Sequence, residues 1–217
     1  IHSVLLPNYK VMTFGSYAVK EKLDDSNIKL TDGFILNRNA GDHQWAHHNV
    51  QGGVDIDIWD FNKGFGEESH EILMKPLVWD AFCSIVRVIN DKEVLILGGN
   101  KEPKINGPDS QKDFVKYDLE KNEFQKLASF SYPRWYGSIV RDGFDNYYIF
   151  GGTDTVNKTY SNIPEKITVD TNGVYKVNDV ILPKEQTLDF FSNKDSDEWN
   201  YPKSFLLSNG MIFGISY

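Results

Sequence analysis

Four times along the chain a short apolar run, a polar turn and a second apolar run follow one another, and small residues close the unit. The first copy is Ser3-Val4-Leu5-Leu6, the turn Pro7-Asn8, then Val11 through Phe14 and Gly15-Ser16; the second is Ser84 through Val88, the turn Asn90-Asp91, then Val94 through Leu97 and Gly98-Gly99. The third is Ser138-Ile139-Val140, the turn Asp142 through Asn146, then Tyr147 through Phe150 and Gly151-Gly152. The fourth is Ser204 through Leu207, the turn Asn209-Gly210, then Met211-Ile212-Phe213-Gly214. Short apolar runs bounded by Gly, Asn and Asp predict β-hairpins and not helices. The second runs are continuously apolar, which predicts strands covered on both faces, with glycine where neighbouring backbones crowd. Polar and apolar residues alternate in Val54 through Phe61 and in Phe114 through Asp118, the latter followed by the turn-like Leu119 through Asn122 and then Glu123-Phe124; both predict outer strands.

Aligned on Gly15, Gly98, Gly151 and Gly214, the units are spaced by 83, 53 and 63 residues. The last two intervals lie close to the ~50-residue kelch period, in which each repeat makes one four-stranded blade. The longer first interval predicts an insertion around residues 37–53, including Gly41-Asp42-His43-Gln44-Trp45-Ala46-His47-His48. The expected fold is all-β: a kelch-type β-propeller domain over 1–217, with about three blades and the start of a fourth. Propellers close as rings of ~4 to 8 blades and open strand edges are normally covered, so further polypeptide, a C-terminal continuation or a second chain, is expected to complete it.

Composition narrows the partners. An apolar share of 40% with 14% aromatic residues suffices for a core, and a net charge of -8 argues against nucleic acid and anionic membrane surfaces, which need clustered Lys and Arg. No apolar run approaches the ~20 residues of a membrane-spanning helix. The opening Ile1 through Lys10 lacks signal-peptide character, and a start at Ile1 fits a processed or trimmed product. The one cysteine, Cys83, forms no disulfide within the chain, and Asn157-Lys158-Thr159 would accept an N-glycan.

Four patches stand in order: Ile1-His2-Ser3-Val4-Leu5-Leu6-Pro7-Asn8, Asp80-Ala81-Phe82-Cys83-Ser84, Arg134-Trp135-Tyr136, and Trp199-Asn200-Tyr201-Pro202 running to Asn209-Gly210. In the same order they resemble the first strand, the crosslinking-cysteine segment, the crosslinked-tyrosine segment and the next blade's strand-opening motif of the copper-radical oxidases. This is the family of glyoxal oxidase and galactose oxidase, and the fourth patch is closer to the glyoxal oxidases. The resemblance implies the N-terminal part of a secreted or cell-surface enzyme. Such an enzyme oxidises aldehydes or primary alcohols, carbohydrates among them, with O2 to give H2O2. It implies two cofactors, copper and a Cys83–Tyr136 thioether, with Tyr136 as copper ligand and radical site. The family's second, axial tyrosine and its two histidine ligands come from later blades and a C-terminal domain, outside this sequence. The resemblance also departs at one place: Thr153-Asp154 follows Gly151-Gly152 where galactose oxidase has a shielding tryptophan, which leaves Trp45 as the candidate to cover the site.

The implied chemistry has a physical logic. Two-electron oxidation of an alcohol needs a one-electron store beside a metal that accepts one electron. An alkylthio substituent eases phenol oxidation and fixes the ring, and a divalent cation can hold as phenolate a phenol whose free pKa is ~10. Fold does not dictate function, so other readings stand beside this one. One is a non-catalytic kelch module binding glycans or proteins, with Cys83 and Tyr136 as packing residues; another is a structural half-propeller held by a second chain. Arg134 and Trp135 are expected to pack and orient the tyrosine segment. His43 and His47, spaced to share a helix face, and the adjacent His48 read as a solvated loop. Asp195-Ser196-Asp197-Glu198 reads as a solvated interblade loop and not a calcium site, and Asp55 and Asp57 as the wet face of a strand.

Overall fold

A computed structural model describes residues 2–14, 28–31, 34–37, 45–47, 54–77, 81, 83–99, 111–155, 157–161, 163–181 and 200–215. The architecture is all-β with antiparallel pairing throughout the described residues. β1 (His2–Leu5), β2 (Val11–Phe14), β6 (Val54–Trp59) and β7 (His70–Leu77) form one four-stranded sheet in that order. β8 (Ile85–Val88), β9 (Glu93–Leu97), β10 (Asp113–Asp118) and β11 (Glu123–Ser129) form the second. β12 (Ser138–Arg141), β13 (Tyr147–Phe150), β16 (Glu165–Val169) and β17 (Tyr175–Asp179) form the third, and β18 (Lys203–Leu206) pairs with β19 (Ile212–Ile215) in a two-stranded sheet. The first strands β1, β8, β12 and β18 neighbour one another in succession, as do the last strands β7, β11 and β17. The sheets therefore fan about a common side, as in a β-propeller, without closing a ring.

The core lies between successive sheets, and strand periodicity explains it. Val94 and Ile96 of β9 pack with Met12, Phe14, Ile56 and Ile58 of the first sheet, while Leu95 and Leu97 pack with Tyr147, Ile149 and Ile167 of the third. Successive side chains of a strand point to opposite faces, so a sandwiched strand must be apolar at every position. All four of these β9 residues are fully buried, each worth about 1.5–3 kcal/mol. The expectation of double coverage holds for β9. In β2 and β13 the alternation returns, with Met12, Phe14, Tyr147 and Ile149 buried and their neighbours half-buried.

Each first hairpin closes in the same way: Leu6, Ile89, Asp142 and Leu207 donate their N–H to the carbonyls of Lys10, Glu93, Asn146 and Met211, at 2.8, 2.9, 2.9 and 2.8 Å. From Leu6 to Ile89 to Asp142 to Leu207 the intervals are 83, 53 and 65 residues. Gly214 is thus not the equivalent of Gly98 and Gly151. It sits inside β19 opposite Ser204, two residues early, because the strand pairing and not the glycine fixes the register.

Between β2 and β6 lies a separate three-stranded sheet of β3 (Ile28–Thr31), β4 (Phe34–Asn37) and β5 (Trp45–His47), which begins well before residue 37. His47 stands in β5 opposite Phe34, in a strand and neither a helix nor a loop. His43, His48 and Asp195 through Glu198 lie outside the described residues. The alternating run from Val54 ends as a strand at Trp59, because Asp60 caps a short 3₁₀ turn over Phe61–Lys63 by accepting from the Asn62 N–H. Asp57 accepts or shares a 2.8 Å hydrogen bond with His70 Nδ1. It is therefore not simply a solvated carboxylate. A further two-strand piece pairs β14 (Thr153–Asp154) with β15 (Thr159–Tyr160), and Asn157 of the sequon lies in its exposed turn.

Candidate functional site: a thiol between two phenols

Six residues ahead of the turn-opening residues Ile89, Asp142 and Leu207 stand Cys83, Tyr136 and Tyr201, one at the entrance to each first strand. All three adopt left-handed backbone, with φ of 62°, 63° and 51°. That region costs a non-glycine residue about 1–3 kcal/mol and recurs where function demands a particular side-chain direction. The three are also tied backbone to backbone. Tyr136 N–H donates to the Cys83 carbonyl at 2.9 Å, and Tyr201 N–H donates to the Tyr136 carbonyl at 2.5 Å. Repeat geometry thus carries one thiol and two phenols from three separate sheets to a single place.

The side chains meet there. The rings of Tyr136 and Tyr201 lie 4.8 Å apart at 53°, and the indole of Trp135 lies 4.0 Å from the Tyr136 ring, tilted by 34°. The buried Cys83 sulfur lies close enough to both phenol hydroxyls to act on their ionisation. Burial first, and then the Cys83 sulfur, pushes the Tyr136 phenol up to about 12. Tyr201 is pushed up further, again by burial first and then by Cys83 and Tyr136. Both are neutral at physiological pH. The buried Trp135 Nε1 and Ser84 Oγ have no hydrogen-bond partner, a costly condition that polar groups in a binding site often accept.

The Tyr136 segment is anchored from behind by Arg134, which is wholly buried. Its five N–H groups reach Glu165 Oε2 twice, at 2.6 and 3.1 Å, and the carbonyls of Gly151, Ser161 and Ile163 at 2.8, 2.9 and 2.6 Å. Every donor of the guanidinium fork is used, which makes a buried charge tolerable. The glycine pairs make room for the segment. A Cβ at Gly98 would stand 2.3 Å from the Arg134 carbonyl oxygen, and one at Gly152 3.1 Å from that of Trp135. Trp135 also pairs with Thr153 through two backbone hydrogen bonds, and the Thr153 hydroxyl donates to Asn200 Oδ1 at 3.1 Å, next to Tyr201. Arg134 and Trp135 therefore do pack and orient the tyrosine segment.

The structure brings together Cys83 and Tyr136, the pair singled out from the sequence. Trp45 lies in β5, opposite Leu36 in register, and its side chain is outside the described residues. The indole seen against the Tyr136 ring is that of Trp135. Two further residues were not assigned a role from sequence. Tyr201 had a legible signal, since it shares with Cys83 and Tyr136 the same six-residue spacing to its turn. His2 had none: its ring stacks on Phe14 at 5.3 Å and meets Tyr201 edge-on at 6.4 Å, a juxtaposition made by the fold. Burial pushes its imidazole down to about 4, so it is neutral at physiological pH.

No protein-family model matches the chain, and no curated protein matches it. Solved structures do. A fungal alcohol oxidase of the AA5 family, solved in complex with copper, superposes with a TM-score of 0.51 at 14% identity, over 98% of this chain and 47% of its own. The structure of YjhT superposes with a TM-score of 0.46 at 12% identity, over 70% of this chain and 59% of its own. The chain thus spans about half the length of the solved proteins it resembles. The likeness to the alcohol oxidase is one of fold, an all-β arrangement of antiparallel sheets of the propeller type.

The donor set at the site fits copper in part. A phenol that a cation can hold as phenolate and a sulfur beside it suit a redox-active divalent metal. Among the described residues no group of three His, Cys, Asp or Glu side chains gathers.

Proposed function

We propose that this chain is part of a copper-radical oxidase that oxidises aldehydes or primary alcohols, including those of carbohydrates, with O2 to give H2O2. The observation that carries the reading is the placement of the chain's one thiol, buried on a residue whose carbonyl accepts from the Tyr136 N–H, beside the Tyr136 phenol and with the indole of Trp135 over that ring. Copper, when bound, would supply a one-electron acceptor and hold Tyr136 as phenolate. Tyr136 would be the second one-electron store. Cys83, joined ortho to the Tyr136 oxygen, would lower the potential for that oxidation and lock the ring. Trp135 would keep solvent and reductants from the ring, with Trp45 a further candidate to cover the site. On this reading the sheets are kelch-type blades, the protein is secreted or at the cell surface, and a continuation or a second chain supplies the remaining ligands and blades.

The test is intact mass and a peptide map, under reducing conditions, after exposure to copper(II) and air. A loss of two hydrogens with a Cys83–Tyr136 linkage supports the oxidase. A free thiol in the copper-loaded protein would favour a non-catalytic kelch module that binds glycans or proteins.

A further inference from the structure

We infer that Tyr201 is a positioning residue for the thioether: its hydroxyl holds the Cys83 sulfur against the Tyr136 ring and sets how fast the bond forms. The inference rests on the oxidase reading and adds a residue to it. Three independent features point to Tyr201. It occupies the same left-handed entrance position as the two residues to be joined, and its backbone N–H continues their hydrogen-bond ladder. Its ring lies 4.8 Å from that of Tyr136, on which Trp135 also packs, so two aromatic neighbours contact the ring to be modified. Its hydroxyl reaches the same sulfur as the Tyr136 hydroxyl does.

The chemistry explains why a second phenol matters. In the crosslinking step the Cys83 S–H bond and one Tyr136 ring C–H bond break, and a C–S bond forms ortho to the phenol oxygen. Two protons leave and two electrons pass to O2, giving H2O2. With Tyr136 as its sole partner, the thiol would sit at the hydroxyl and rotate about Cα–Cβ. A second donor from the neighbouring sheet fixes the sulfur from another direction, and orientation of this kind is what accelerates a reaction between groups already in contact. The tie from Thr153 to Asn200 holds Tyr201's own segment to that of Trp135.

The experiment follows the two-hydrogen mass loss over time in the full chain after adding copper(II) in air, for the wild type and for Tyr201→Phe and Tyr201→His. The expected result is a rate lowered about tenfold or more in Tyr201→Phe, the loss of roughly one hydrogen bond, and partly recovered in Tyr201→His, which restores a donor. A ring that merely packs would be better replaced by Phe than by His, so the reverse order overturns the inference, as does a wild-type rate in Tyr201→Phe. A wild type that never loses the two hydrogens sinks the oxidase reading itself and is thereby distinguishable. Should both variants unfold, the Tyr201 hydroxyl proton in copper-free Tyr136→Phe decides by NMR. A slowly exchanging downfield resonance that Cys83→Ala abolishes supports Tyr201 as a donor to the sulfur, and a resonance that Cys83→Ala leaves unchanged overturns it.

Discussion

At the residue scale the site is built from groups held in their neutral forms. In copper-free protein the Tyr136 phenolate should absorb near 295 nm only around pH 12, since burial and the Cys83 sulfur oppose ionisation. Copper(II) should bring that transition below neutral pH if Tyr136 is a ligand, and an unchanged spectrophotometric titration would show that it is not. His2 gives a stability prediction with a definite sign. Its imidazole sits at about 4 in the folded chain against ~6.5 unfolded, so between those values the unfolded chain binds a proton that the folded one refuses. Stability therefore rises with pH across that window and is lost as pH falls through it. His2→Phe should flatten the dependence of the urea midpoint on pH between about 4 and 6.5. Glu165 is the counter-charge that makes Arg134 acceptable, both being fully buried at 2.6 Å. Glu165→Gln should cost about 3–5 kcal/mol in chemical denaturation, since it leaves a buried guanidinium without its anion.

At the element scale the glycine pairs are room for a neighbouring segment more than ends of strands. Gly98 has φ of +65° and faces the Arg134 carbonyl at a distance no Cβ tolerates, so Gly98→Ala should lower the denaturation midpoint by an equivalent of about 2 kcal/mol or more. Gly143, in the turn between β12 and β13, has open space where a Cβ would go, and Gly143→Ala should fall within about 0.5 kcal/mol of the parent. Equal effects at the two positions would show that the Arg134 segment does not approach Gly98 so closely. The continuous apolar run Val94 through Leu97 was legible as a doubly covered strand because only a sandwiched strand needs apolar groups at both parities. The glycine at 214 misled because register is set by ladder pairing, in which Phe205 meets Phe213 and Ser204 meets Gly214.

At the scale of the whole molecule, three sheets cover one another's faces, and among the described residues the two-stranded sheet of β18 and β19, beside β12, keeps apolar side chains exposed. Phe205, Met211, Phe213 and Ile215 keep about half of their surface exposed, at 50, 59, 49 and 48%. A contiguous apolar face of this kind is a site for further sheet or for association. Phe205→Ser combined with Phe213→Ser should leave the thermal midpoint nearly unchanged. A fall of the midpoint would mean that these rings already support the fold.

The sequence by itself determined the all-β class, the repeated hairpin and its sandwiched strand, because period-two alternation and turn chemistry are local and each residue carries its part. It also singled out Cys83 and Tyr136, through the resemblance of Asp80 through Ser84 and of Arg134 through Tyr136 to segments of the copper-radical oxidases. Only the tertiary structure decided what surrounds them. The indole on Tyr136 comes from the adjacent Trp135, the second phenol from a sheet more than sixty residues later in the chain, and His2 from the other end of the chain. The reason is that a ladder of backbone hydrogen bonds between sheets, running from Cys83 to Tyr136 to Tyr201, converts equal positions in sequence repeats into contact in space.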